Sequence, residues 1–221
     1  MKRALLTSAA ILTLAASPAM ATPGWYMSAA GGVNWAQDTS PLTAFGDHED
    51  TQFDTGWALA GTFGYSWLAG YRGEIEFAYR QNDLDSVFES PNRGSPFFHT
   101  QLSGDLVQFS VMANALYDFQ VADDFVLTVG GGIGVAEARL NASEANVSFI
   151  RSGSNSFTFA WQLIGGAAYQ VTDATQVFVE YHYFANDNHD VVTYPGGTPL
   201  RTDFDADSST VFLGVRLGLG E

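Results

Sequence analysis

Charged side chains recur at every second position in part of this sequence. In residues 71–80, Arg72, Glu74, Glu76 and Arg80 share one parity, and the other parity is aromatic, aliphatic or glycine. Successive side chains of a β-strand point to opposite faces, so these four charges would lie on one face. Arginines and carboxylates gathered on one face can form ion pairs, line a pore or build a site for proton transfer.

Two later segments carry further polar groups with the same spacing. Glu180 and His182 stand two residues apart within 175–184, and Arg216 belongs to 209–219. Glu180 and His182 could hold a metal only with a further ligand, and no second histidine shares their segment. Enzymes that modify lipid A use a His, Ser and acid set that is reached from the lipid. Here the residue two positions after His182 is Phe184 and not a serine, so this set is absent from the segment. We therefore expect no catalytic residue and no metal site among these groups.

Eight segments alternate in this way, and the spacing between them is regular. They cover about 25–35, 53–66, 71–80, 105–119, 125–139, 157–171, 175–184 and 209–219. Long connections alternate strictly with short ones, which is typical of an outer-membrane barrel with long extracellular loops and tight periplasmic turns. The sequence thus predicts an all-β fold, a transmembrane antiparallel up-and-down barrel of eight strands. Ten strands remain an alternative, with 97–102 as the extra strand, and an even count predicts that both termini are periplasmic.

The first 21 residues have the three parts of a secretory signal. Lys2 and Arg3 are followed by an apolar stretch and by Ala19-Met20-Ala21, which fits the small-x-small cleavage rule. We expect residues 1–21 to be removed and residues 22–221 to form a single barrel domain. Loss of the two leader cations takes the net charge from −15 to −17, which argues against a nucleic-acid partner. The chain has no cysteine, which excludes a disulfide scaffold.

Aromatic residues cluster at the ends of the alternating segments. Because amphipathic rings favour the boundary between membrane and water, this placement predicts two aromatic girdles. A β-sandwich with an aromatic core is the alternative, but a sandwich does not need connections of alternating length.

The chain resembles the small eight-stranded outer-membrane barrel superfamily, which includes the transmembrane domain of outer-membrane protein A, the opacity proteins and the OmpW-like proteins. The resemblance rests on Gly-Trp-Tyr-Met-Ser-Ala-Ala-Gly-Gly at 24–32, on 73–80, and on 169–173 leading to 179–184. It implies a Gram-negative, porin-like or opacity-like cell-surface protein that contacts outer-membrane lipid and lipopolysaccharide and is inserted by the barrel-assembly machinery. Members usually end on an aromatic residue, whereas here Leu219 would take that place.

An eight-stranded barrel is narrow enough for side chains to fill. The inward parity then predicts a lumen network, which we define as these seven residues: Arg72, Glu74, Glu76, Arg80, Glu180, His182 and Arg216. A structural network that closes the lumen is the favoured interpretation, because buried charges must be paired. A narrow channel for small solutes or cations is the first alternative, and a lipid-modifying enzyme is the second. Glycines 130–134 lack the pattern of a phosphate-binding loop and are expected to leave lumen room for large side chains such as Arg80.

The long connections are acidic, with Asp38, Asp47, Glu49 and Asp50 in the first and several aspartates in the last. Asp203, Asp205 and Asp207 resemble the opening of a calcium loop, but the later EF-hand positions are absent, so they are weak metal candidates. A solvated acidic rim is the simpler interpretation. We expect no cofactor, and we expect the loops to meet an extracellular partner whose nature the sequence does not specify. The predicted function is a structural or surface-interaction role.

Overall fold

The computed structural model describes residues 17–18, 23–36, 55–88, 100–144, 157–186, 189–193, 200–204 and 207–219. Most of the predicted signal, including its cleavage site, lies outside these residues. Ser17–Pro18 is the exception, and it pairs with Phe119 and Gln120. No helix in the described part of the chain is long and apolar enough to cross a membrane.

Eight long β-strands, β1 to β8, account for nearly all of the described residues. Their bounds are β1 Gly24–Ala36, β2 Gly56–Ser66, β3 Tyr71–Phe88, β4 Thr100–Ala122, β5 Phe125–Glu144, β6 Thr158–Thr172, β7 Thr175–Asn186 and β8 Ser208–Gly218. Each strand pairs antiparallel with the next one along the chain, and β8 also pairs with β1. The sheet is therefore a closed eight-stranded up-and-down barrel, as the alternating segments predicted.

The strands β3, β4 and β5 are longer than the sequence pattern predicted. Pairing of β2 with β3 ends at Trp57 and Gln81, whereas pairing of β3 with β4 continues to Phe88 and Thr100. The apolar-polar alternation stops near Gln81 because polar residues then occupy both parities. Backbone hydrogen bonds of a sheet do not require that alternation, so the ladder extends beyond the part of the strand that the pattern marks.

The ten-stranded alternative is not what forms. Within 97–102, the described residues 100–102 belong to β4 rather than to an additional strand, and 97–99 lie outside the described part. A hairpin does lie in the last long connection, where His189–Thr193 pairs with Leu200–Phe204. These two strands make a separate small sheet and do not enter the barrel wall.

The short connection between β2 and β3 is a tight turn. Leu68–Gly70 forms a single 3₁₀ turn, and the Trp67 amide donates to the Tyr71 carbonyl oxygen at 2.9 Å. Ala69 and Gly70 both have positive φ, 72° and 84°. This turn sets the register in which β3 begins, and it therefore decides which parity of β3 faces inward.

The outer face of the barrel is apolar and the inner face is largely polar. Large apolar side chains cover the outer face, with Leu213 66% and Ile133 61% exposed, and an exposed apolar surface of this extent is unusual for a water-soluble protein. Outward aromatic rings form two groups, one near each end of the barrel, and within each group they make pairwise contacts. One group includes Trp25, Tyr65, Trp67, Tyr71, Tyr117, Phe119, Phe125 and Tyr169, near the short turns, and the other includes Trp57, Tyr79, Trp161 and Tyr183, near the opposite rim.

Candidate functional site: the polar interior of the barrel

The candidate site is the polar interior of the barrel, where three strands hold the lumen network. β3 carries the two arginines and two glutamates of 71–80, β7 carries Glu180 and His182, and β8 carries Arg216. All seven residues are buried, and none is more than 7% exposed. Six of the seven are linked to one another by ion pairs or hydrogen bonds, and Arg80 lies apart from them.

Arg72 is the centre of the linked group and contacts three carboxylates. Its Nε lies 2.7 Å from Asp118 Oδ2 on β4, and its Nη1 lies 3.6 Å from Glu74 Oε2. Its Nη2 lies 3.9 Å from Glu180 Oε1 on β7. The same guanidinium donates to the Tyr26 hydroxyl on β1 at 3.2 Å. One side chain thus connects four strands across the lumen.

Arg216 and Glu180 form the second ion pair. Arg216 Nη2 lies 3.1 Å from Glu180 Oε1, and Nη1 donates to Gln176 Oε1 at 2.7 Å. The guanidinium also lies 5.0 Å from the ring centre of Phe178 and 5.4 Å from that of Tyr26. Aromatic faces attract a desolvated cation, so this charge is stabilised from several sides.

His182 lies between two carboxylates. Its Nε2 is 3.3 Å from Glu180 Oε2, and its Nδ1 is 3.7 Å from Glu76 Oε2. The same Glu76 oxygen accepts hydrogen bonds from Asn114 at 2.9 Å and from Gln162 at 3.2 Å. His182 therefore joins β7 to β3 through Glu76, whose carboxylate is itself held by amides of β4 and β6.

Arg80 has a different environment from the other two lumen arginines. It donates to Ser110 Oγ at 3.0 Å and to Thr210 Oγ1 at 3.3 Å, and it lies 4.5 Å from the ring centre of Phe184. Within the described residues no carboxylate lies within 4 Å of its guanidinium. Hydroxyl groups and one aromatic face thus replace the ion pair that Arg72 and Arg216 have.

Sequence reasoning missed four important members of the interior. Asp118 is the nearest carboxylate to Arg72, and Tyr26 donates to Glu74 Oε2 at 2.7 Å. Asn114 and Gln162 hold Glu76 and also bind each other at 2.8 Å. All four have the inward parity of their strands, so the parity signal was present. Their partners could not be read from it, because they lie on other strands.

Glycines make room for this packing on the inner face of β5. A Cβ at Gly130, Gly132 or Gly134 would collide with residues of the paired strand β4, namely Leu116, Asn114 and Met112 respectively. The large side chains nearest to these glycines are thus those of the paired strand. Room for Arg80, which lies two strands away, stays a prediction.

Buried carboxylates outnumber buried arginines in the described interior. Three arginines, Arg72, Arg80 and Arg216, face four carboxylates, Glu74, Glu76, Asp118 and Glu180. A small cavity among Glu74, Glu76, Glu180, His182 and Arg216 has about 10 Å³ for the centre of a water molecule, which is room for a single water.

Of the weak metal candidates, only Asp207 has a side chain among those that the structure describes. Asp207 accepts hydrogen bonds from the Tyr183 hydroxyl at 3.4 Å and from the backbone N–H of Asn186 at 3.3 Å. Asp203 lies opposite Asp190 in the small hairpin, and Asp205 is outside the described residues, as are the acidic residues of the first connection. Across the described side chains, no group of three or more His, Asp or Glu residues could hold a metal ion.

A closed antiparallel barrel with an apolar exterior, aromatic belts and a charged interior defines the class of outer-membrane β-barrels. A family described as outer membrane protein beta-barrel domain matches residues 4–216, and the chain belongs to this family. The protein is accordingly a bacterial outer-membrane barrel, and its apolar belt faces lipid.

Solved structures agree on the fold. Neisserial surface protein A is 16% identical, with 89% of this chain and 97% of that chain covered and a TM-score of 0.57. The outer membrane protein OprG from Pseudomonas aeruginosa is 13% identical, with 90% and 98% covered and a TM-score of 0.63. At these identities the likeness shows the fold alone. No curated protein matches the sequence.

Proposed function

We propose that this protein is a surface-exposed structural barrel whose lumen network closes the interior to ions and solutes. The observation that carries the proposal is Arg72, which contacts Asp118, Glu74 and Glu180 and so ties β3 to β4 and β7. Removal of a charge from water costs several kcal/mol, so buried charges are stable only when they are held by partners such as these. The same contacts occupy the space that a hydrated ion would need.

The small size of the interior cavity supports a closed lumen. Its space suffices for about one water, and residues from β1, β2, β3, β7 and β8 surround it. Passage of a hydrated ion would require several buried ion pairs to separate at once. Such a separation leaves uncompensated charges in a low-dielectric interior, and each broken pair costs about 3–5 kcal/mol.

Planar-bilayer recording tests the closed lumen. We expect the refolded protein to give no resolvable openings at neutral pH, with an empty-detergent addition as the control. Discrete openings that scale with the amount of protein would overturn the proposal. They would favour the second candidate, a narrow cation-selective channel, for which the excess of buried carboxylates over arginines is the supporting observation.

The proposal contains no catalytic step. His182 contacts Glu76, Glu180 and the Phe212 ring inside the barrel, and its side chain is 3% exposed. A lipid substrate on the outer face would not reach it. Mass analysis of lipid A from cells that express the protein checks this point, and a change in acylation or headgroup that depends on His182 would contradict it.

The surface role lies in the long connections, which we propose to be extracellular, with both termini periplasmic. Their acidic composition supports a solvated interaction surface for an extracellular partner. We propose that the barrel wall contacts outer-membrane lipid and lipopolysaccharide and that the barrel-assembly machinery inserts the protein. An epitope inserted within 36–52 should be labelled by antibody on intact cells. Labelling that requires permeabilised cells would show the opposite orientation.

A further inference from the structure

The interior cavity is lined by polar atoms of opposite kinds. Glu76 Oε1 is a buried acceptor, Arg216 Nε is a buried donor, and His182 Nδ1 is the third buried atom. None of these three atoms has a hydrogen-bond partner within the described part of the protein. All three residues line the same cavity. A buried polar atom without a partner costs about 1–3 kcal/mol, so three around one space indicate a guest.

The two carboxylate oxygens of Glu76 differ in their hydrogen bonding. Oε2 accepts from Asn114 and Gln162, whereas Oε1 accepts from no described group. Arg216 shows the same asymmetry, since Nη1 and Nη2 donate to Gln176 and Glu180 and Nε has no acceptor. Each side chain is thus held by some of its polar atoms, while one further polar atom stays without a described partner in a residue that lines the cavity.

We propose that this cavity binds one water molecule, which donates to Glu76 Oε1 and accepts from Arg216 Nε. Only a small amphiprotic guest satisfies both atoms. A sodium ion could coordinate Glu76 Oε1 but would meet the arginine, and a chloride ion could accept from Arg216 but would meet three carboxylates. The room for about one water excludes a larger polar molecule.

The water completes the connection between β3 and β8 across the lumen. Glu76 belongs to β3 and Arg216 to β8, and no direct ion pair joins them within the described residues. The Ser28 and Thr62 hydroxyls, which lie 2.6 Å apart, border the same cavity and offer further lone pairs. The inference rests on the closed interior of the proposed function and adds an internal ligand to it.

Nuclear magnetic resonance of the ¹⁵N-arginine-labelled protein in nanodiscs tests the water directly. We expect a cross-peak from water to the Arg216 Nε proton, with opposite signs in the laboratory and rotating frames, which distinguishes a long-lived water from hydrogen exchange. Arg80 Nε is the internal control, because it donates to Thr210 Oγ1 at 3.3 Å and should show no such peak. The R216K variant assigns the signal.

A cavity-filling variant makes the test specific. Ala60→Val adds two methyl groups to the cavity lining and should remove the Arg216 cross-peak, whereas Leu59→Val on the outer face should retain it. If Ala60→Val fails to fold, the wild-type spectrum still decides. Absence of the wild-type cross-peak would overturn the water site. So would an Arg216 signal that moves when sodium replaces choline at constant ionic strength, because the guest would then be a cation. Bilayer recording is independent, so loss of the water site would leave the closed lumen standing.

Discussion

Asn114 on β4 occupies the space that a side chain at position 132 on β5 would need. The two residues lie opposite each other in the β4–β5 register, and a Cβ on Gly132 would collide with Asn114 Oδ1. Asn114 is the amide that donates to both Glu74 and Glu76, at 3.2 and 2.9 Å. A missing side chain on one strand therefore permits the polar network on the others.

Gly132→Ala should destabilise the barrel by about 1–3 kcal/mol, because a methyl group must displace the Asn114 amide from its carboxylates. Urea unfolding in lipid vesicles, followed by tryptophan fluorescence, gives the free energy of unfolding. Gly165→Ala is the matched control, since a Cβ there meets no atom within 4 Å. Equal effects of the two substitutions would show that Asn114 does not depend on the glycine.

Arg72→Met should cost about 3–5 kcal/mol in the free energy of unfolding, because it leaves Asp118, Glu74 and Glu180 buried without their shared cation. Addition of Asp118→Asn should recover part of the loss. Equilibrium unfolding of the two single variants and the double variant measures the coupling between the residues.

Arg139→Met is the control for Arg72→Met. Arg139 pairs with Glu137 at 2.8 Å, but its side chain is 55% exposed on the outer face. We expect a change within about 0.5 kcal/mol, as for ordinary surface substitutions. A loss at Arg139 as large as that at Arg72 would contradict the importance of the buried ion pairs.

Arg80→Met should be tolerated far better than Arg72→Met, with a loss of about 1 kcal/mol or less. Arg80 has hydroxyl and aromatic partners, and no carboxylate of the described residues lies within 4 Å of it, so its removal breaks no close ion pair. The comparison of the two variants by urea unfolding decides between a network that needs every charge and one centred on Arg72. Equal losses would favour the former.

Leu213→Arg should destabilise the protein in lipid by about 2–4 kcal/mol, the cost of a cation near the middle of the bilayer. Leu213 is in the middle of β8 and points outward. Leu219→Arg, just beyond the last residue of β8, should cost much less because it lies near the interface. Similar costs at both positions would contradict the placement of the membrane.

Much of the fold was predictable from the sequence because strand alternation is a local property. The parity of 71–80 separates the side chains of Tyr71 and Ile75 from those of Arg72 and Glu74, and the structure exposes the first pair and buries the second. The strand ends were less predictable. Beyond Gln81, β3 continues to Phe88 through backbone pairing that leaves no apolar pattern.

The partners inside the barrel could not be predicted in the same way. Asp118, Tyr26 and Arg72 all have the inward parity of their strands, but their contact depends on how far β1, β3 and β4 are shifted relative to one another when the sheet closes. The same applies to the glycine run 130–134, whose nearest neighbours belong to the paired strand.

The sequence by itself determined the eight strands, their order and the side of the sheet that each residue faces, because a strand repeats every two residues. Only the tertiary structure decided which inward charges meet. Arg72 is surrounded by carboxylates and Arg80 by hydroxyls, although the two arginines share one strand and one parity. Closure of the barrel brings distant strands together across a lumen about one side chain wide, and that geometry is not encoded in any local pattern.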